Sequence, residues 1–91
     1  MRVVVAEDGA LFREGLVRLL GETGFDVVGQ AADVPSLLTA VDEQRPGVAM
    51  VDIRMPPSYS SEGLVAALEI KARQPAVGVL VLSQYVRPTT R

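Results

Sequence analysis

A buried strand and the start of an amphipathic helix meet in the stretch VVVAEDGALFREG, residues 3–15. The β-branched run that ends at Ala6 is typical of a strand covered on both faces. Glu7 and Asp8 follow at once, although adjacent carboxylates at the end of a buried strand repel each other. The rest of the chain has to supply a reason for this acidic pair.

Strand and helix patterns alternate along the chain. From Ala10 onward, apolar residues recur at three- and four-residue steps, which indicates a helix that ends near Gly21. Asp33 is the expected N-cap of a second helix, with Pro35 in its first turn. The predicted strands cover residues 2–6, 25–31, 48–53 and 77–83, and the predicted helices cover residues 10–21, 34–45 and 61–74.

This alternation predicts an α/β protein with a parallel sheet covered by helices on both faces. The strands suit a flavodoxin-like, doubly wound arrangement in the order 2-1-3-4. A chain of 91 residues is long enough for one domain, which we expect to cover residues 1–91.

Composition excludes several kinds of chemistry. The net charge of −2 gives no basic surface for nucleic-acid phosphates. Because the sequence has no cysteine and no histidine, disulfides, zinc sites with these ligands and histidine catalysis are excluded. A bound metal would have to be a hard cation with oxygen ligands. No signal peptide or membrane span is evident, so we expect a cytoplasmic location and no membrane partner.

Three acids and a hydroxyl follow the predicted strands. Glu7 and Asp8 follow strand 1, Asp52 closes strand 3, and Ser83 ends strand 4. In doubly wound sheets these strand ends border one crevice. Carboxylates gathered there require a proton or a divalent cation, for which Mg²⁺ is the best candidate.

Each of these residues also has a simpler interpretation. Asp8 could cap the first helix, Asp52 could be a solvated acid in a turn, and serine is common where Ser83 lies. The combination is much harder to obtain by chance than any one member.

Three segments resemble the response-regulator receiver domain of two-component signalling: VVVAEDGALFREGL, VAMVDIRMPP and VLVLSQY. The extended DIRMPPSYSSEGL loop and LSQYV further resemble receivers joined to a LuxR-type helix-turn-helix domain. The resemblance implies that Asp52 accepts a phosphoryl group from a sensor histidine kinase. It also implies that Glu7, Asp8, Asp52 and the main-chain carbonyl of Arg54 hold Mg²⁺.

By the same resemblance, Ser83 is the switch hydroxyl that bonds the phosphoryl group. Arg54 and Tyr85 occupy positions that modulate the lifetime of that group. An ordinary half-buried strand aromatic is an equally good interpretation of Tyr85.

The sequence departs from the receiver pattern after its fourth strand. Receivers have a fifth strand, two more helices and an essential lysine, whereas the single lysine here, Lys71, lies in the third helix. We therefore expect part of a longer regulator, with DNA bound only through a domain beyond this segment. Strand 4 would then be an uncharged sheet edge, which predicts self-association.

Other functions remain open at this stage. A receiver-like interaction module without phosphorylation would explain the missing lysine. A Mg²⁺-dependent phosphohydrolase with an aspartyl-phosphate intermediate would need a general acid near Asp52, where Arg54 stands instead. A flavin-binding domain would need a Ser/Thr/Gly-rich phosphate loop after strand 1, which is absent. We do not expect a dedicated enzyme.

Overall fold

Four strands and three helices alternate in the computed structural model, which describes residues 1–82. The strands are β1 (Arg2–Ala6), β2 (Asp26–Ala31), β3 (Val48–Asp52) and β4 (Gly78–Leu82), and the helices are α1 (Ala10–Glu22), α2 (Val34–Gln44) and α3 (Glu62–Arg73). All strand pairs are parallel, and the strand order is β2-β1-β3-β4. The predicted fold class and strand order are confirmed.

The main core lies between the sheet and the helices α2 and α3. Alternate residues of a strand point to opposite faces, so Val4 and Ala6 of β1 enter this core. The core also contains these residues: Ala31, Leu37, Val41, Ala49, Val51, Met55, Ala66, Ile70 and Val77. Val3 and Val5, which are also buried, point to the opposite face of the sheet, where α1 lies.

Helix α1 covers its face of the sheet incompletely. None of its residues is fully buried, and Leu11 is 83 % exposed.

Within residues 1–82, no helix is long and apolar enough to cross a membrane.

The helix starts follow the sequence signals in part. Asp33 caps α2 as predicted, because its carboxylate accepts from the Ser36 N–H at 2.9 Å. Helix α1 is preceded by Gly9 at its N-cap position, so Asp8 is not its cap. Ser61 occupies the N-cap of α3, where serine is a preferred residue, but its side chain makes no cap hydrogen bond.

Gly63 allows α3 to begin directly against the end of β3. Its N–H donates to the Ile53 carbonyl at 2.8 Å. A Cβ atom on Gly63 would lie 1.9 Å from the main-chain oxygen of Asp52 and 2.7 Å from the Cα of Ile53. Since both neighbours are backbone, no side chain can move away to make room, and only glycine fits.

We expect Gly63→Ala to lower the free energy of unfolding by about 2–3 kcal/mol, because the added methyl forces backbone apart. Gly15→Ala is the matched control: it lies in α1 with no atom within 4 Å of the added methyl. That change should be neutral or stabilise the protein by up to about 1 kcal/mol, since alanine favours helix. Urea unfolding of both variants measures the difference. Equal stability of Gly63→Ala and the wild type would refute the close contact.

Candidate functional site

Pairing of β1 with β3 brings acidic residues from distant parts of the chain together. Ala6 pairs with Val51, so Glu7 and Asp52 are the next residues along two neighbouring parallel strands. The Glu7 N–H donates to the Ala31 carbonyl at 2.9 Å, which continues the β1–β2 ladder past the end of β1. Both carboxylates therefore lie at the carboxyl edge of the sheet, where the sequence predicts a crevice.

Two hydrogen bonds from residues that follow it closely in the sequence hold Glu7 in place. Its carboxylate accepts from the Gly9 N–H at 2.9 Å, and its main-chain carbonyl accepts from the Arg13 guanidinium at 2.6 Å. A Cβ on Gly9 would lie 3.2 Å from this carboxylate, so a small residue suits the position. The side chain of Glu7 is 2 % exposed.

Asp52 is also buried, at 3 % exposed, where β3 ends. One of its carboxylate oxygens accepts from the Arg54 N–H at 3.2 Å. The Ile53 N–H donates to the Leu82 carbonyl at 2.9 Å, so β4 supports the residue that follows Asp52. This arrangement fixes the carboxylate at the floor of the crevice.

Three acidic side chains lie close enough together to hold one cation: those of Glu7, Asp8 and Asp52. Each offers a carboxylate oxygen, and these atoms all lie within 4.8 Å of one another. Burial raises the pKa of Glu7 to about 7, although the Gly9 hydrogen bond opposes the shift. A hydrogen bond to Asp52 and the negative charges of Asp52 and Asp8 raise the Glu7 pKa further.

These carboxylates fit a hard divalent cation. Oxygen-only donors are what Mg²⁺ and Ca²⁺ prefer, and the half-buried position of Asp8 leaves the crevice open to water ligands. A proton on Glu7, bonded to Asp52, relieves the same repulsion when no cation is bound. The arrangement can thus exchange a proton for a metal at this edge.

The remaining predicted site residues fall into two groups. The Arg54 side chain is exposed beside the crevice. Ser83 and Tyr85 lie outside the described residues.

Lys71 makes two hydrogen bonds in the turn before β4. Its Nζ donates to the carbonyls of Pro75 and Val77, both at 2.9 Å. The sequence places this lysine at the wrong end of the sheet for contact with a phosphoryl group.

Sequence reasoning missed two residues near the crevice: Tyr59 in the β3–α3 loop and Glu62 at the start of α3. The negative charge of nearby Asp8 is the largest cause that raises the pKa of Tyr59. The Glu62 carboxylate accepts hydrogen bonds from the N–H groups of Ser58 and Ser60 in that loop. The letters SYSSE show that a loop is present, but they carry no signal for the left-handed backbone of Tyr59, whose φ is 55°.

Comparison with known proteins identifies the class to which this parallel sheet and acidic crevice belong. The family model for the response regulator receiver domain matches residues 3–91. The chain therefore belongs to the response regulator receiver family of two-component systems, as the resemblance implied.

Its relatives are transcriptional regulators. The chain is 37 % identical over 89 residues to the probable transcriptional regulatory protein NarL of Mycobacterium tuberculosis, covering 97 % of this chain and 40 % of that protein. It is 34 % identical over 86 residues to the DNA-binding transcriptional activator DevR/DosR of the same organism, covering 93 % of this chain and 38 % of that protein. The chain thus spans about two-fifths of the length of these curated relatives.

A solved receiver-domain structure has the same fold as this chain. The signal receiver domain of the putative response regulator NarL from Mycobacterium tuberculosis matches with a TM-score of 0.83 and 38 % identity. The match covers 96 % of this chain and 68 % of that one.

Proposed function

We propose that this receiver accepts a phosphoryl group on Asp52 in a Mg²⁺-dependent reaction. The observation that supports the proposal most is the meeting of Glu7, Asp8 and Asp52, whose carboxylate oxygens lie within 4.8 Å of one another. Asp52 is the member of this group that stands at the end of β3, with its carboxylate directed into the crevice by the Arg54 N–H.

In the proposed reaction, a carboxylate oxygen of Asp52 attacks the phosphorus of a phosphohistidine on a sensor kinase. The new O–P bond forms as the P–N bond breaks, and the imidazole nitrogen keeps the electron pair and takes up a proton. Glu7, Asp8, Asp52 and the main-chain carbonyl of Arg54 would hold Mg²⁺. When bound, the cation supplies the positive charge that lets a carboxylate approach an anionic phosphoryl group.

Further roles rest on membership of the family. Ser83 would bond the phosphoryl group and couple it to a change of shape. Arg54 and Tyr85 would shield that group from water and lengthen its life. Because the relatives are transcriptional regulators, we place the protein in the cytoplasm and assign its output to a DNA-binding segment of a longer protein.

Intact mass spectrometry after incubation with acetyl phosphate tests the phosphoacceptor. We expect one phosphoryl adduct on the wild type with Mg²⁺ and none without it. Asp52→Asn should abolish the adduct, because an amide is a poor nucleophile. Asp26→Asn is the matched control, since Asp26 is an exposed acid at the start of β2, and it should keep the adduct.

Persistence of the adduct in Asp52→Asn would refute the assignment. A wild-type chain that takes up no phosphoryl group even with Mg²⁺ would favour the alternative from the sequence, a receiver-like module that acts by interaction alone.

We also propose that β4 mediates self-association. Among residues 1–82, β4 pairs with β3 on one side and with no strand on the other. Its residues Gly78–Leu82 carry no charged side chain, and Leu80 is 51 % exposed. An uncharged edge strand of this kind is a template for pairing with a second copy.

Sedimentation velocity at tens of micromolar, roughly the range in which weak association shows, should detect dimers of the chain. Leu80→Lys should shift the population toward monomer, because a charged lysine on an edge strand opposes pairing. Leu19→Lys is the matched control on α1, where a leucine is 57 % exposed, and it should leave the dimer fraction unchanged. A stable wild-type monomer at this concentration would contradict the proposal.

A further inference from the structure

The free edge of β4 presents the main-chain groups of alternate residues. The N–H of Gly78 and the carbonyl of Leu82 both make 2.9 Å hydrogen bonds to the segment that contains β3, so these residues direct their main-chain groups toward β3. Successive residues of a strand direct these groups to opposite sides. Val79 and Val81 therefore direct their N–H and C=O groups away from β3, where residues 1–82 supply no further strand.

The side chains of β4 alternate between two different surroundings. Val79 packs against the main core, on the face of the sheet that α2 and α3 cover. Leu80 therefore points to the opposite face, where α1 packs on β1 and β2, at the other end of the sheet from β4. Leu80 is 51 % exposed, and its half-buried neighbour on β3 is Met50. An apolar surface thus reaches the free edge on this face.

Helix α3 places a second exposed leucine beside the same edge. Arg73 pairs with Asp42 of α2 at 3.0 Å, so that side of α3 faces α2. Lys71 instead bonds to carbonyl groups in the turn before β4, which marks the side of α3 nearest β4. Leu64 lies about two helical turns before Lys71 and thus on the same side, and it is 46 % exposed. The free edge is therefore bordered by an exposed leucine on each face of the sheet.

We propose that β4 pairs with β4 of a second copy in an antiparallel ladder whose two-fold axis passes through Leu80. This inference rests on the proposed self-association through β4, and it specifies the orientation and register of that pairing. Val79 then lies opposite Val81 of the second copy, and the outward N–H and C=O groups of these residues bond to each other across the axis. The two four-stranded sheets join into one continuous sheet.

Symmetry selects the antiparallel orientation. Parallel pairing places a hydrogen-bonding residue of one strand opposite a non-bonding residue of the other, so two identical strands cannot pair in this way about a two-fold axis. Antiparallel pairing uses the same surface of both copies and closes into a dimer.

The position of the axis follows from the exposed side chain. An axis at Leu80 pairs every residue of Gly78–Leu82 with a residue of the same strand in the second copy. Because the main-chain groups of Leu80 face β3, the two Leu80 residues form a non-hydrogen-bonded pair, whose Cα atoms lie about 4.5 Å apart. Their side chains then bury each other, next to Met50 of each copy.

Single-cysteine variants test this register, since the chain contains no cysteine. Leu80→Cys places the two thiols beside the axis, where a Cα separation of about 4.5 Å suits a disulfide. Leu82→Cys is the matched control on the same strand and the same face. It lies opposite Gly78 of the second copy, so the two Leu82 positions are about 13 Å apart, too far for a disulfide.

The measurement is the amount of disulfide-linked dimer in a glutathione redox buffer, at the protein concentration used for sedimentation. We expect at least about 10-fold more linked dimer from Leu80→Cys than from Leu82→Cys, because pairing raises the effective concentration of the Leu80→Cys thiols toward the millimolar range.

Amide hydrogen exchange of the wild-type chain, followed by NMR, tests the same pairing without a substitution. The N–H groups of Val79 and Val81 bond to the second copy in the dimer, so their exchange should slow as the protein concentration rises. The N–H of Leu80 faces β3 in the monomer and in the dimer, so its exchange should change less.

The outcomes separate the register from the self-association on which it rests. If the wild type dimerises and Leu80→Lys prevents it, but Leu80→Cys forms no more linked dimer than Leu82→Cys, the register is wrong and pairing through β4 stands. If the wild type sediments as a monomer, both are refuted. A dimer in which the exchange of Val79 and Val81 stays unchanged would show that the copies join through another surface, which also refutes both.

Discussion

The repulsion among Glu7, Asp8 and Asp52 is the constraint on which the rest of this structure depends. Their carboxylate oxygens lie within 4.8 Å of one another, and two of the side chains are almost fully buried. A fold gains nothing in stability by burying like charges beside one another. The proposed function accounts for this arrangement, because a bound divalent cation would offset the repulsion, and the raised pKa of Glu7 favours a proton there when no cation is bound.

The surrounding backbone is built to keep these acids in place. The β1–β3 register aligns Glu7 with Asp52, and glycine at position 63 lets α3 start against the last residues of β3. From that start the Glu62 carboxylate accepts hydrogen bonds from Ser58 and Ser60 on both sides of Tyr59 in the preceding loop. The crevice is therefore bordered by a rigid strand end on one side and by a loop held through a single carboxylate on the other.

The fold and the acidic cluster could be predicted because they follow from local signals. Apolar periodicity defines the strands and helices, and parallel pairing then carries residues 7, 8 and 52 to one edge without any further information. The conformation of the β3–α3 loop could not be predicted, because it depends on a left-handed backbone at Tyr59 and on hydrogen bonds to Glu62, three residues away.

Urea unfolding of the wild type and Glu7→Gln at pH 8, with and without Mg²⁺, tests the central claim most directly. At this pH Glu7 is above its folded pKa of about 7 and carries its charge, whereas glutamine is neutral and still accepts from Gly9. A raised pKa makes stability fall as pH rises through it, so without Mg²⁺ the variant should be more stable, by on the order of 2 kcal/mol. Mg²⁺ should stabilise the wild type more than the variant. Equal stability of the two proteins, together with an equal response to Mg²⁺, would contradict the account.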